Sequence, residues 1–168
     1  MRSVREKLNV TILARQIAFA SLVAALYAVL TVSLGSLGYS WLQVRLSEAL
    51  APLPFVFGFP AVIGLTLGCA VANVFSPVGL NDLVFGPIFT LIAAVFSWQL
   101  SFGKRWVACI YPVVVNALGV SIYVAGFYLV PYAVSVLSIG LGELVAAVLV
   151  GYPLVRAMEK IPKEALGG

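Results

Sequence analysis

Two carboxylates, Glu48 and Glu143, stand inside apolar stretches of the sequence, in QVRLSEAL and GLGELVA. An ionisable group placed in an apolar membrane segment costs several kcal/mol unless it is paired or hydrated. A carboxylate in such a position is expected to have a function unless a neighbouring group pairs with it. The sequence therefore predicts a binding site that contains both carboxylates.

Other polar side chains in the same stretches could donate hydrogen bonds to a ligand carbonyl. The candidates are Gln43, Arg45, Asn73 and Asn116. Each has a plainer interpretation: Arg45 stands three residues before Glu48 and could neutralise it on one helical face. The two asparagines could join helices as polar contacts, and Glu143 could do the same through the gap left by Gly140 and Gly142. Both interpretations remain open, and Asp82 is expected to cap a helix.

Several kinds of chemistry are disfavoured by what the sequence lacks. It contains no histidine, and its two cysteines, Cys69 and Cys109, stand singly in apolar stretches. Histidine-based triads and common zinc sites are therefore not expected. There is also no GxxxxGK[ST] phosphate loop, so the chain is not expected to hydrolyse ATP. We predict no catalytic residue, no metal ligand and no cofactor.

The composition is that of an integral membrane protein. The 168 residues are 62% hydrophobic and 10% charged, with a mean hydropathy of +1.11, unlike a soluble domain. The net charge of +4 comes from basic residues that flank apolar runs, as membrane anchors do, so no nucleic acid is expected as a partner. The predicted location is the cell membrane, crossed several times by one all-α domain over residues 1–168.

Six transmembrane helices position the polar residues. The predicted spans are 17–34, 43–57, 60–75, 83–100, 107–128 and 132–155. The second is short and interrupted by prolines, and Pro52 and Pro54 are expected to leave the carbonyls of Glu48 and Leu50 without their helical donors. Such backbone is tolerated in a membrane where it lines a wet cavity.

Basic residues set the orientation. The basic segment 1–15, the pair Lys104 and Arg105, and the charged tail 156–168 all fall on one side if there are six spans, which predicts cytoplasmic N- and C-termini. Asn116 and Glu143 then lie about 15 Å deep, near the middle of the bilayer. The polar set would line a path from the outer surface to that depth, which is typical of an outward-facing pocket.

Small residues on the first span form a second feature. Ala20, Ala24 and Ala28 recur at a spacing of four residues, which permits close helix packing. Internal packing and a docking face for another subunit are both open interpretations.

Four segments resemble the QueT family, the substrate-binding S component of energy-coupling factor transporters for queuosine precursors. They are QVRLSEAL (43–50), GCAVANVFSPVGLNDLVFGPIFTLIAA (68–94), PVVVNALGV (112–120) and GELVA (142–146). The similarity runs from Gln43 to Pro153, and the first helix matches in its alanine stripe.

The resemblance implies a six-helix protein that binds a 7-deazaguanine base from outside. It also implies docking, through Ala20, Ala24 and Ala28, on a transmembrane coupling protein with two ATPase subunits. Two alternatives are an S component for a different vitamin-like metabolite and a structural subunit of a membrane complex, in which the buried polar residues would only join helices.

Overall fold

The computed structural model describes residues 2–40 and 45–161, and these residues form helices and short connections without a β-strand. The prediction of an all-α protein is confirmed for this part of the chain. In order, the elements are α1 (Arg2–Ser33), α2 (Ser36–Tyr39), a 3₁₀ helix (Leu46–Leu50), α3 (Pro54–Phe57), α4 (Phe59–Asn73), α5 (Leu80–Gln99), α6 (Arg105–Tyr128), α7 (Tyr132–Glu143), a π-helical segment (Leu144–Val150) and α8 (Gly151–Met158).

Among the described residues, four helical stretches are long and apolar enough to cross a membrane. They are Asn9–Ser33, Leu80–Gln99, Arg105–Tyr128 and Tyr132–Met158. Two shorter apolar stretches, Leu46–Phe57 and Phe59–Asn73, occupy the places of the predicted second and third spans. The protein is therefore a multi-pass membrane protein, whereas six spans and cytoplasmic termini stay predictions.

The prolines near Glu48 produce a 3₁₀ helix with paired carbonyls. The carbonyl of Glu48 accepts the N–H of Ala51 at 3.0 Å, and that of Leu50 accepts the N–H of Leu53 at 2.9 Å. The prediction that these carbonyls lack donors was therefore wrong. An i→i+3 pattern takes its donors from one residue earlier than an α-helix does, and so avoids the proline nitrogens.

Helices α1 and α4 pack closely because α4 carries glycines where α1 passes. A Cβ atom added to Gly64 would lie 2.6 Å from the carbonyl oxygen of Ala20, and one added to Gly68 would lie 2.7 Å from that of Ala24. Small residues permit such close approach of helices in membranes. Ala20 is buried, and Ala24 and Ala28 are half-buried, so the alanine stripe faces α4 at least in part.

Contacts at one end of the bundle bring together two basic regions of the sequence. Arg105, at the start of α6, forms a salt bridge with Glu159, just after α8. The loop before α6 and the C-terminal segment therefore share one end of the bundle. The predicted orientation requires this arrangement, because it places both on one side of the membrane.

The 3₁₀ helix is held in the interior of the bundle. It packs against α1, against the π-helical segment and against α8, and Ser47, Glu48, Ala49 and Leu50 are all buried. Glu143 is the last residue of α7, directly before the π-helical segment. π-Helical turns within helices are frequent at functional sites, and this packing brings Glu48 towards Glu143.

A candidate ligand-binding site

Glu143 and Asn116 form a buried polar pair between α6 and α7. Helices α6 and α7 are joined by a short connection and run antiparallel, and Nδ2 of Asn116 donates to Oε1 of Glu143 at 2.8 Å. Both side chains are buried, with 4% and 6% of their surfaces exposed. Gly140, one turn before Glu143, places its backbone against Ala117, which lets the two helices approach closely enough for this bond.

Glu48 is bound by a different helix. The hydroxyl of Tyr27, a fully buried residue of α1, donates to Oε1 of Glu48. Asn116 also lies close to the carboxylate of Glu48, and the charges of Glu48 and Glu143 interact with each other. Glu48, Asn116 and Glu143 therefore form one cluster, which we call the acceptor cluster.

Each member of the acceptor cluster has one oxygen without a partner. Oε2 of Glu48, Oδ1 of Asn116 and Oε2 of Glu143 are buried and accept no hydrogen bond from any described residue. A buried polar atom that stays unpaired costs about 1 to 3 kcal/mol, and most such atoms in proteins are paired. Three such oxygens in one cluster could accept hydrogen bonds from a donor-rich group.

Arg45 is engaged elsewhere. It contacts Oδ2 of Asp82 at 3.0 Å through a terminal nitrogen, and its Nε donates to the carbonyl of Gly38 at 2.9 Å. Asp82 also accepts the hydroxyl of Tyr123 at 2.7 Å. The alternative in which Arg45 neutralises Glu48 was therefore wrong, because Asp82 is the carboxylate that Arg45 contacts.

Asp82 does not cap a helix either. Helix α5 begins at Leu80 after Gly79, which places Asp82 inside the first turn, fully buried against Arg45. The capping prediction was wrong because Leu80 and Asn81, which precede Asp82, already belong to the helix. Asp82 instead joins α5 to the segment that carries Glu48.

Asn73 belongs with Asp82 and not with the acceptor cluster. Its Nδ2 donates to the backbone carbonyl of Asp82 at 2.7 Å, and its Oδ1 is unpaired. Gly86 makes room for it, since an added Cβ there would lie 2.2 Å from Nδ2 of Asn73. Gln43, the remaining predicted ligand contact, lies outside the described residues.

Aromatic side chains cover the end of the bundle next to Arg45. The ring of Tyr39 lies 5.5 Å from the Arg45 guanidinium, and its hydroxyl donates to the carbonyl of Ala72 at 2.6 Å. Tyr128 donates to the carbonyl of Tyr39 at 2.7 Å. Next to them is a cavity of about 510 Å³, lined by Val32, Gly35, Tyr39, Ser40, Phe75, Pro77 and Tyr128. This cavity lies at the end of the bundle that the sequence predicts to face outward.

Each predicted donor group that the structure describes therefore already makes a hydrogen bond within the protein. Arg45, Asn73 and Asn116 donate to Asp82, to the Asp82 backbone and to Glu143 respectively. The unpaired atoms of the acceptor cluster are oxygens that accept hydrogen bonds, so the cluster suits a ligand that is rich in N–H groups. Among the described residues, no group of His, Cys, Asp and Glu could hold a metal ion.

Comparison with known families identifies the chain. The model of the QueT transporter family matches residues 17–160. The chain belongs to the QueT transporter family. No curated protein and no solved structure matches it.

The family match covers every candidate site residue. Membership of a transporter family indicates a small-molecule substrate and a membrane location. The family match also agrees with the expectation from the sequence that the chain has no catalytic residue, because a transporter needs a binding site and not a reaction centre.

The sequence did not predict Tyr27 as a site residue, and it suggested Tyr123 only as a ring that could stack on a ligand. Each supplies the hydroxyl that a buried carboxylate accepts, Glu48 in one case and Asp82 in the other. A signal was present, since a tyrosine in the middle of a membrane helix carries a hydroxyl that needs a partner. With seven tyrosines in the chain, however, the sequence did not show which ones meet a carboxylate.

Proposed function

We propose that this QueT transporter is the S component of an energy-coupling factor importer and captures a queuosine precursor, a 7-deazaguanine base, from outside the cell. The observation that supports this most strongly is the acceptor cluster of Glu48, Asn116 and Glu143, with its three unpaired buried oxygens. The family match supports transport. The base and the importer are the parts that we propose.

A 7-deazaguanine has the hydrogen-bonding groups that this cluster lacks. It carries an N–H on the six-membered ring, an adjacent exocyclic amine and an N–H on the five-membered ring. The first two can be accepted by one carboxylate, and the third by a separate oxygen. Replacement of N7 by carbon also removes an acceptor that would face the protein oxygens without a donor.

The charges favour a base with an aminomethyl group. Arg45 is paired with Asp82, so the two carboxylates of the acceptor cluster have no cationic partner of their own among the described residues. Burial of unbalanced charge is unfavourable, and an ammonium group on the ligand would balance one carboxylate. We propose that one of Glu48 and Glu143 accepts from the guanine edge and the other meets the ammonium.

Active uptake must draw its energy from partners or from an ion gradient, because the sequence has no phosphate loop. We propose a transmembrane coupling protein with two ATPase subunits, docked on α1. Ala24 and Ala28 are half-buried on this helix while Ala20 is buried, and the backbones of Ala20 and Ala24 both pack on glycines of α4. The side chains of the two half-buried alanines are therefore the part of the stripe that a partner could still reach.

Ligand-induced thermal stabilisation of the purified protein tests the proposed substrate. A ligand that binds only the folded state raises stability by RT ln(1 + [L]/Kd). We expect aminomethyl-7-deazaguanine to raise the unfolding temperature most, 7-deazaguanine less, and 7-deazahypoxanthine, which lacks the exocyclic amine, least. Stabilisation by an unrelated metabolite would indicate an S component of different specificity. No response to any small molecule would indicate a structural subunit.

A further inference from the structure

We propose that Tyr27 of α1 is a positioning residue for the ligand, acting through Glu48. This inference rests on the proposed function, since it concerns the same site. The Tyr27 hydroxyl donates to Oε1 of Glu48, while Oε2 is unpaired, so the hydroxyl fixes the orientation in which the carboxylate faces a ligand. A carboxylate held in one orientation selects the orientation in which a base can bind.

The position of Tyr27 supports this role. Tyr27 is fully buried and Glu48 is 2% exposed, so no bulk water competes for the bond between them. A hydrogen bond to a charged group is worth about 1.5 to 3 kcal/mol. Without the hydroxyl, both oxygens of Glu48 would need donors, and the carboxylate could rotate.

A second contact ties the same two segments together. Thr31, one turn after Tyr27 on α1, has its hydroxyl 2.7 Å from that of Ser47, the residue before Glu48. Thr31 also donates to the backbone carbonyl of Tyr27 at 2.9 Å. The backbone beside Glu48 is thus held through Thr31 and Ser47, which leaves the Tyr27 hydroxyl to act on the carboxylate itself.

Tyr27 lies where α1 packs on α4, so a movement of α1 at the surface of the bundle would reach the ligand through Tyr27. A Cβ atom added to Gly68 of α4 would lie 2.8 Å from Cβ of Tyr27, so the two backbones are in close contact at this level. Any shift of α1 along α4 would move the Tyr27 hydroxyl relative to Glu48. The ligand-facing oxygen would then lose its fixed position.

A double-mutant cycle between Tyr27→Phe and Glu48→Gln tests the inference by ligand titration. Such a cycle separates an effect that passes through Glu48 from an independent one. In the wild-type background, Tyr27→Phe should weaken binding of aminomethyl-7-deazaguanine by about tenfold, the scale of 1.4 kcal/mol. In the Glu48→Gln background it should weaken binding by less than about twofold. Tyr132→Phe, which removes an exposed hydroxyl from α7, is the control and should leave the affinity unchanged.

The possible outcomes are distinct. Equal losses in both backgrounds would show that Tyr27 stabilises the fold without acting through Glu48, and would overturn the inference alone. A wild-type protein that binds no 7-deazaguanine would overturn the proposed function and this inference with it. If Tyr27→Phe cannot be purified, a ring-fluorinated tyrosine at position 27 keeps the size and the hydroxyl. The fluorinated tyrosine should change the affinity for the base in the protein that keeps Glu48 and not in the Glu48→Gln variant. An unchanged affinity in the protein that keeps Glu48 would contradict the inference.

Discussion

Asn116 of α6 donates to Glu143 of α7 across the middle of the bundle, at 2.8 Å. The bond uses one N–H of the asparagine side chain and one oxygen of the carboxylate. The remaining oxygens, Oδ1 and Oε2, have no partner among the described residues. The pair is therefore a contact between two helices that leaves two acceptor oxygens available to the proposed ligand.

Replacement of Asn116 by leucine should affect both roles. Asn116→Leu removes the donor from a buried carboxylate, and we expect the free energy of unfolding to fall by about 1 to 3 kcal/mol. Binding of the base should weaken as well, because one acceptor is lost. Thermal unfolding in detergent and ligand titration measure the two effects, and a fully stable variant with wild-type affinity would contradict the site.

The salt bridge between Arg45 and Asp82 should matter chiefly for stability. Removing one partner of a buried ion pair leaves an uncompensated charge and costs about 3 to 5 kcal/mol, whereas an apolar replacement of both is often tolerated. We therefore expect Arg45→Met and Asp82→Leu to lower the unfolding temperature strongly when made alone. The double variant should recover much of the loss, and additive losses would argue against a direct pairing.

The close contact of α1 with α4 depends on the absence of a side chain at Gly68. Gly68→Ala would place Cβ 2.7 Å from the Ala24 carbonyl oxygen, so the helices must separate and the unfolding temperature should fall. Gly126→Ala on α6 is a matched control, because nothing lies within 4 Å of an added Cβ there. Alanine is favoured over glycine in helices by about 1 kcal/mol, so the control should be neutral or slightly stabilising.

If partners dock on α1, a substitution on its docking face should abolish uptake without weakening the binding of the base. Ala24→Leu should leave the affinity for the base within about threefold, since Ala24 is not in contact with the acceptor cluster, but should abolish uptake in cells that supply the coupling module. Ala133→Leu places the same bulk on an exposed position of α7 and should transport normally. Wild-type uptake by Ala24→Leu would place the docking face elsewhere.

Much of the candidate site and of the helix positions could be predicted from the sequence, because a membrane severely restricts where a polar side chain can lie. A charge within an apolar helix must find a partner or a ligand, so Glu48, Asn116 and Glu143 stood out, and the structure brings them together. Helix positions followed from long apolar runs, and the ends of α5 and α6 lie within a few residues of the predicted ones.

Partners across long sequence distances could not be predicted. Arg45 meets Asp82 and Glu48 meets Tyr27, over separations of 37 and 21 residues, whereas sequence spacing reveals only neighbours on one helix. The assumption that 43–57 forms an α-helix made Arg45 and Glu48 appear to share a face. The prolines instead impose a 3₁₀ helix that begins at Leu46, after Arg45, and this change of geometry sends the two side chains to different partners.

The most direct test is a calorimetric titration of the purified protein with aminomethyl-7-deazaguanine, repeated with Glu48→Gln and Glu143→Gln. In each variant an amide must keep its oxygen towards Tyr27 or Asn116, so its NH₂ group would face the donors of the ligand. We expect wild-type binding, and a loss of more than about tenfold in each variant from one charge-assisted hydrogen bond. Wild-type affinity in both variants would contradict the claim that the unpaired oxygens of Glu48 and Glu143 hold the ligand.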